Sequence, residues 1–120
     1  MTKNKILFAD DDHMLGMILT KELTSYGYHV SFVENGEDAI SKLNDDHYDI
    51  AILDIRMPKV DGFGVLKFIK KEKPEIKVIM LTAYADLKHQ IMSEQGGAHQ
   101  FLSKPYNLET LRFTIENLLK

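Results

Sequence analysis

Ile50-Ala51-Ile52-Leu53-Asp54-Ile55-Arg56-Met57-Pro58, followed shortly by Asp61-Gly62, decides how this chain folds. Four apolar residues run unbroken into a single carboxylate, and the Pro and Asp-Gly signals then turn the backbone. An apolar run without alternation is what a strand covered on both faces requires. Working outward, the pattern recurs. Ile6-Leu7-Phe8-Ala9 stops at Asp10-Asp11-Asp12, Val78-Ile79-Met80-Leu81 stops at Thr82-Ala83, and Phe101-Leu102 leads into Ser103-Lys104-Pro105. As parallel strands of one sheet, these runs deliver an acidic cluster, a lone Asp, a hydroxyl and an ammonium to one carboxyl edge. In open α/β sheets that edge is where ligands bind.

Strand-like and helix-like patterns alternate five times along the chain. Strands are expected at 5–10, 29–33, 49–54, 77–82 and 98–102, and helices near 13–26, 36–45, 63–72, 86–95 and 107–119. Gly27, Gly36, Pro74 and Gly96-Gly97 supply stops, while Asp12, Asp86 and Asn107 read as N-caps. Strict alternation with short connections predicts right-handed crossovers and a mostly parallel sheet. Five strands are too few for an eight-stranded barrel, so the expected fold is an open α/β sheet with helices on both faces. In the last helix Leu108, Leu111, Ile115 and Leu118 form one buried stripe and Phe113 falls opposite. The fourth helix offers only Leu87, Ile91 and Met92 to the core, which predicts weak anchoring. The first helix places Leu19, Leu23 and Tyr26 in the core, with Met14, Leu15, Ile18 and Glu22 about a quarter-turn away.

The chain has 120 residues, 44% of them hydrophobic and 28% charged, which fits one soluble domain over 1–120. A net charge of −3 offers no broad attraction to nucleic acid or anionic lipid. No apolar stretch approaches the roughly 20 residues of a membrane span. The N-terminus carries no apolar signal region, so a cytoplasmic location is expected. Absence of cysteine excludes disulfides and thiolate chemistry.

The edge residues limit the chemistry. Two carboxylates ~4 Å apart repel by roughly 4 kcal/mol at an effective dielectric of 20. Bringing Asp10, Asp11 and Asp54 together therefore needs a proton or a cation, and an all-oxygen donor set favours Mg²⁺ or Mn²⁺ over zinc. Lys104 can reach a carboxylate or a phosphoryl oxygen across the edge. Thr82 offers a hydroxyl, and Ala83 leaves room for a bulky group. A divalent cation, an ammonium, a hydroxyl and backbone N–H groups are the parts that phosphoryl transfer uses, with Asp54 as nucleophile. His13, His29, His47, His89 and His99 are scattered without metal-ligand spacing.

Taken together at ordered strand ends, these motifs resemble the receiver domain of two-component response regulators over essentially the whole chain. The resemblance implies the flavodoxin-like receiver fold, with strand order 2-1-3-4-5 and five helices on both faces. It also implies that Asp54 accepts a phosphoryl group from the phosphohistidine of a histidine kinase or histidine phosphotransfer protein. Asp11 and Asp54 would hold Mg²⁺ directly, with the backbone carbonyl of Arg56, and Asp10 would act mainly through water. Lys104, Thr82 and the backbone N–H of Ala83 would contact the phosphoryl oxygens. Phe101, three residues before Lys104, occupies the position of the switch aromatic, although Phe has no hydroxyl and a plain core role is also open. Met14, Leu15, Ile18 and Tyr106 would meet the phosphodonor. Phe113 would lie on the output face formed by the fourth helix, fifth strand and fifth helix. A protein target or an output domain beyond this chain would read the switch, and a phosphorylation-dependent dimer is one form that response takes. The domain would promote its own phosphorylation and dephosphorylation without being an enzyme toward other substrates, and would not itself bind nucleic acid.

Three rivals use related architecture. A flavodoxin-like electron carrier wants Gly, Ser and Thr after the first strand, where this chain has three acids that repel a cofactor phosphate. A phosphohydrolase of the haloacid dehalogenase type places its nucleophile after the first strand in an Asp-x-Asp pattern, usually with a cap insertion. A pseudo-receiver would have lost members of the set Asp11, Asp54, Thr82 and Lys104, all present here. Whether the chain is a single-domain regulator or the receiver of a longer one stays open in the sequence.

Overall fold

The computed structural model describes residues 4–120. Five strands, β1 (Lys5–Ala9), β2 (His29–Val33), β3 (Ile50–Leu53), β4 (Lys77–Thr82) and β5 (Gln100–Ser103), form one parallel sheet in the order β2-β1-β3-β4-β5. Between them run α1 (His13–Ser25), α2 (Gly36–Asp45), α3 (Gly62–Glu72), α4 (Leu87–Gln95) and α5 (Leu108–Leu118).

Strand periodicity sorts the core into two layers, because successive side chains point to opposite faces. Ile6 and Phe8, with Ile50, Ile52, Ile79 and Leu81, pack under Leu19 and Leu23 of α1 and Leu111 and Ile115 of α5. Leu7 and Ala9, with Ala51, Leu53, Val78 and Met80, pack under Leu43 of α2 and Val65, Leu66 and Ile69 of α3. The central strands β1 and β3, and β4 after its first residue, are thus buried on both faces, as their unbroken apolar runs require.

Every helix opens on a capped turn. The side chains of Asp12, Asn35, Asp61, Asp86 and Asn107 accept the backbone N–H of Leu15, Asp38, Gly64, His89 and Thr110 respectively. Each cap satisfies an otherwise orphaned amide and is worth ~1 kcal/mol.

Four expectations need correction. Tyr26 is exposed instead of buried: it is the C-cap of α1, where the helical period stops, and the Arg112 guanidinium lies 4.0 Å from its ring centroid. Gly36 does not stop a helix but begins α2, where a β-carbon would fall 2.0 Å from the Val60 carbonyl oxygen. The fifth strand starts at Gln100, not 98, because the Ala98 amide is taken by the Ser93 carbonyl at the end of α4. In α4 the residues Leu87, Ile91 and Met92 face solvent, and only Ser93 is buried. Its hydroxyl donates to the His89 carbonyl, so the helix's inner face is small and self-satisfied.

Candidate functional site

The ladder continues one residue beyond three strands and thereby fixes the site's backbone. The Asp10 amide donates to Val33, that of Asp54 to Ala9, and that of Lys104 to Thr82, at 2.9–3.0 Å. Ala9 pairs with Leu53 and Leu53 with Met80, so β4 runs two residues past β3 to Thr82, which pairs with Ser103, and the side chains that follow the strands meet at one edge.

Asp10 is fully buried and Asp54 is 5% exposed, whereas Asp11 faces solvent. One carboxylate oxygen from each lies within 4.8 Å of the other two. Asp10 Oδ1 accepts the Asp12 amide at 2.9 Å, and Asp54 Oδ1 accepts the Ile55 amide at 2.8 Å. The free oxygens point to Lys104, whose Nζ sits 2.6 Å from Asp10 Oδ2 and 3.3 Å from Asp54 Oδ2. Lys104 thus forms an ion pair with each of the two buried carboxylates, the closer one with Asp10.

Burial pushes the Asp10 carboxyl up, against the pull of the Lys104 ammonium, and the charge of Asp54 adds to the rise. Burial alone would lower Lys104, but the hydrogen bonds and charges of Asp10 and Asp54 outweigh it and hold the ammonium above its usual range. Three carboxylates against one ammonium leave two negative charges in excess. That surplus and the all-oxygen donor set fit a hard divalent cation such as Mg²⁺.

Other predicted residues fall around this centre. Thr82 is buried, and its Oγ1 accepts the Tyr84 amide at 3.0 Å; Ala83 beside it is exposed. Arg56 is exposed, and its guanidinium lies 4.3 Å from the Tyr84 ring centroid. Phe101 pairs with Met80 across β4 and packs half-buried against the α2–α3 layer. On α1, Met14 is 69% and Ile18 49% exposed, while Leu15 is half-buried. The Tyr106 hydroxyl donates to Glu22 of α1, and burial with that carboxylate raises the phenol above its usual range. Phe113 is 64% exposed on the outer face of α5. His13 is exposed and pairs with Glu34.

Two participants escaped sequence reasoning. The Gly62 amide donates to the Ile55 carbonyl at 2.7 Å, and a β-carbon on Gly62 would come 2.1 Å from the Asp54 carbonyl oxygen. Only glycine lets α3 start so close to Asp54. The Asp61-Gly62 pair reads simply as a turn, which hides this contact. Tyr84, which ties Thr82 to Arg56, carries no signal in the sequence at all.

The sequence profile of the response regulator receiver domain matches residues 6–116. The probable transcriptional regulator ycf27 of Porphyridium aerugineum is 36% identical over 120 residues, which are all of this chain and 50% of that protein. The DNA-binding transcriptional regulator NtrC of Proteus hauseri is 33% identical over 99% of this chain and 25% of its own length. This chain thus spans half or less of these curated relatives. Among solved structures, the Thermotoga maritima response regulator TrrA in complex with Mg²⁺ and a beryllium fluoride superposes with a TM-score of 0.87 at 35% identity, covering 96% of this chain and 98% of that one. The receiver domain of the Francisella response regulator 1452 gives 0.90 at 27% identity, covering 97% and 96%. With its five-stranded fold and acidic edge, the chain belongs to the response regulator receiver family.

Proposed function

We propose that this domain accepts a phosphoryl group on Asp54 from a phosphohistidine of a histidine kinase or phosphotransfer protein, in a Mg²⁺-dependent reaction. The observation that carries the reading is the juxtaposition of a nearly buried Asp54 carboxylate with Lys104 and two further acids at one sheet edge. A carboxylate oxygen of Asp54 attacks phosphorus, the P–N bond to the imidazole breaks, and its electron pair stays on the ring nitrogen. The Lys104 ammonium offsets negative charge on the phosphoryl oxygens. The Ala83 amide and the Thr82 hydroxyl, once released from Tyr84, supply further donors.

Asp11, Asp54 and the Arg56 carbonyl would hold the cation, with Asp10 acting through water; Mn²⁺ should substitute. When bound, the ion supplies charge neutralisation at the reacting oxygens and cancels the repulsion among the three acids. Support for Mg²⁺ comes from the excess negative charge at Asp10, Asp11 and Asp54 and from the relative solved with Mg²⁺.

The output is a population shift. Drawing Thr82 toward the new charge vacates space for Phe101, and α4, held by little more than Ser93, responds with β5 and α5, where Phe113 lies. A typical coupling of about 1–3 kcal/mol shifts such an equilibrium only partly, so the unphosphorylated domain should already sample the active form. The recipient is a protein target or an output domain, and a phosphorylation-dependent dimer is one route to it. The relatives' names as transcriptional regulators support a role in gene control, with DNA contact made outside this domain. The domain is a self-modifying acceptor and not an enzyme acting on other molecules. We assign the domain to the cytoplasm, where its kinase partners act; no helix among the described residues is long and apolar enough to cross a membrane.

Mass spectrometry after acetyl phosphate treatment should find one phosphorylated residue, Asp54, with labelling lost in Asp54→Asn and in the presence of chelator. Labelling of Asp54→Asn at the wild-type rate would sink the assignment.

A further inference from the structure

The groove between α3 and α4 is unexplained by phosphoryl acceptance. α4 meets α3 where His89 stacks on Phe63, with ring centroids 6.3 Å apart, and where Gly96 approaches Leu66, but between these contacts the two helices leave a gap. A space of about 570 Å³ remains, floored by buried Leu66 and half-buried Phe63 and walled by Met92. Lys67, Lys70 and Lys71 edge it. They stand at i, i+3 and i+4, so they share one side of α3. Among the described residues none of the three belongs to an ion pair. Lys70 and Lys71 lie in the last turn of α3, where the helix dipole favours cations, but Lys67 has no such reason to be there. Lys70 lies beside Gly97, its Cε 2.6 Å from where a β-carbon on that glycine would stand. All this sits on a chain whose net charge is −3.

We propose that this groove docks an acidic protein segment carrying large apolar side chains on one helical face. Apolar anchors fill the space over Leu66 and Phe63, and carboxylates spaced along the segment pair with the three ammonium groups. Charges strung along a helix suit a segment with charges strung likewise, whereas a single phosphate needs donors that converge. A nucleic acid needs a broad basic surface, which a net-negative chain lacks. Docking here requires no phosphoryl group on Asp54, so it stands or falls independently of that chemistry.

The probe is a synthetic helix-forming peptide with Leu and Phe at i, i+3, i+4 and i+7 and Glu between them. Two counterparts carry Lys for Glu, or Ala for Leu and Phe. Titrated into the ¹⁵N-labelled full chain, the acidic peptide should shift the amides of Phe63, Lys67, Lys70 and Met92. The lysine and alanine counterparts should each bind about tenfold more weakly or worse. Lys67→Glu with Lys71→Glu should weaken the acidic peptide by a similar factor and restore binding of the lysine peptide, a swap that misfolding cannot imitate. Three results would overturn the proposal: no shifts in the groove, equal binding of both peptides, or no response to the charge reversal. Anionic vesicles or single-stranded RNA perturbing these amides while the acidic peptide does not would overturn it too, and would assign the lysines to that ligand class.

Discussion

Replacing Lys104 by methionine removes one charge and keeps most of the stem. Nζ stands 2.6 Å from Asp10 Oδ2 and 3.3 Å from Asp54 Oδ2, so the variant leaves two buried carboxylates facing each other. Removing one member of a buried ion pair costs roughly 3–5 kcal/mol. The Lys104 side chain keeps 18% of its exposure and the cleft opens to solvent at Asp11. The lower end of the range therefore applies, about 3 kcal/mol. An unfolding entropy of about 2.1 cal/mol/K per residue turns that into a fall of about 12 °C in Tm for this chain. Mg²⁺ should then rescue the variant disproportionately. The ammonium and the cation compete for the same oxygens, so the methionine variant binds Mg²⁺ more tightly and gains more stability from it. A site filled at 100 times its Kd contributes about 2.7 kcal/mol. Thermal melts in chelator and in excess Mg²⁺ measure both effects, and the gap in Tm should at least halve when the ion is added. A variant melting within about 3 °C of wild type in chelator would refute the reasoning, as would a gap indifferent to Mg²⁺.

The remaining predictions concern other surfaces. His99 accepts the Val78 amide through Nδ1 at 3.0 Å, and burial, then the charges of Lys70 and Lys77, lower its pKa from the usual 6.5. The unfolded chain therefore takes up the proton first, so this contribution is full above about pH 6.5 and lost as pH falls through the lower folded value. Since an asparagine carbonyl can accept the same amide without titrating, the urea midpoint of wild type should drop more than that of His99→Asn between about pH 7 and pH 5; parallel curves would exclude His99 as the source. Ile18→Ala and Leu15→Ala should slow phosphoryl transfer from a kinase while sparing labelling by acetyl phosphate, and equal losses with both donors would assign those side chains to the fold.

What the sequence discloses depends on how locally a feature is determined. The double-faced strands, the caps at Asp12, Asp86 and Asn107 and the acids after β1 and β3 are written in consecutive residues, whereas the caps at Asn35 and Asp61 are hidden among turn signals. Hence the elements, and the gathering of Asp10, Asp11, Asp54, Thr82 and Lys104, were legible. Strand order was legible only through family resemblance, since periodicity does not say which strands are neighbours. Tyr26 misled because helical spacing was extended one residue past the place where α1 ends. In α4 the apolar residues Leu87, Ile91 and Met92 are exposed, and the buried position on that helix belongs to Ser93. The acceptor role of His99 and the Thr82–Tyr84–Arg56 chain depend on residues brought together by topology, which no local pattern encodes.

The bond from Gly62 to Ile55 makes the two banks of the acidic cleft mechanically unequal. On the β3 bank, Asp54 is held by the Ala9 carbonyl behind it, by the Ile55 amide on its own carboxylate, and by the start of α3 wedged against its carbonyl. On the β4 bank, Thr82 leads into exposed residues 83–86, ahead of a helix with one buried residue. A load placed between the banks cannot be shared equally. Under the proposed switching, the β3 side would act as an anvil and displacement would go to the β4 side, much as a beam clamped at one end bends only at the other. Directionality would in that sense be a property of the scaffold and precede any ligand: under the proposed switching, a glycine on α3 would send what happens at Asp54 elsewhere.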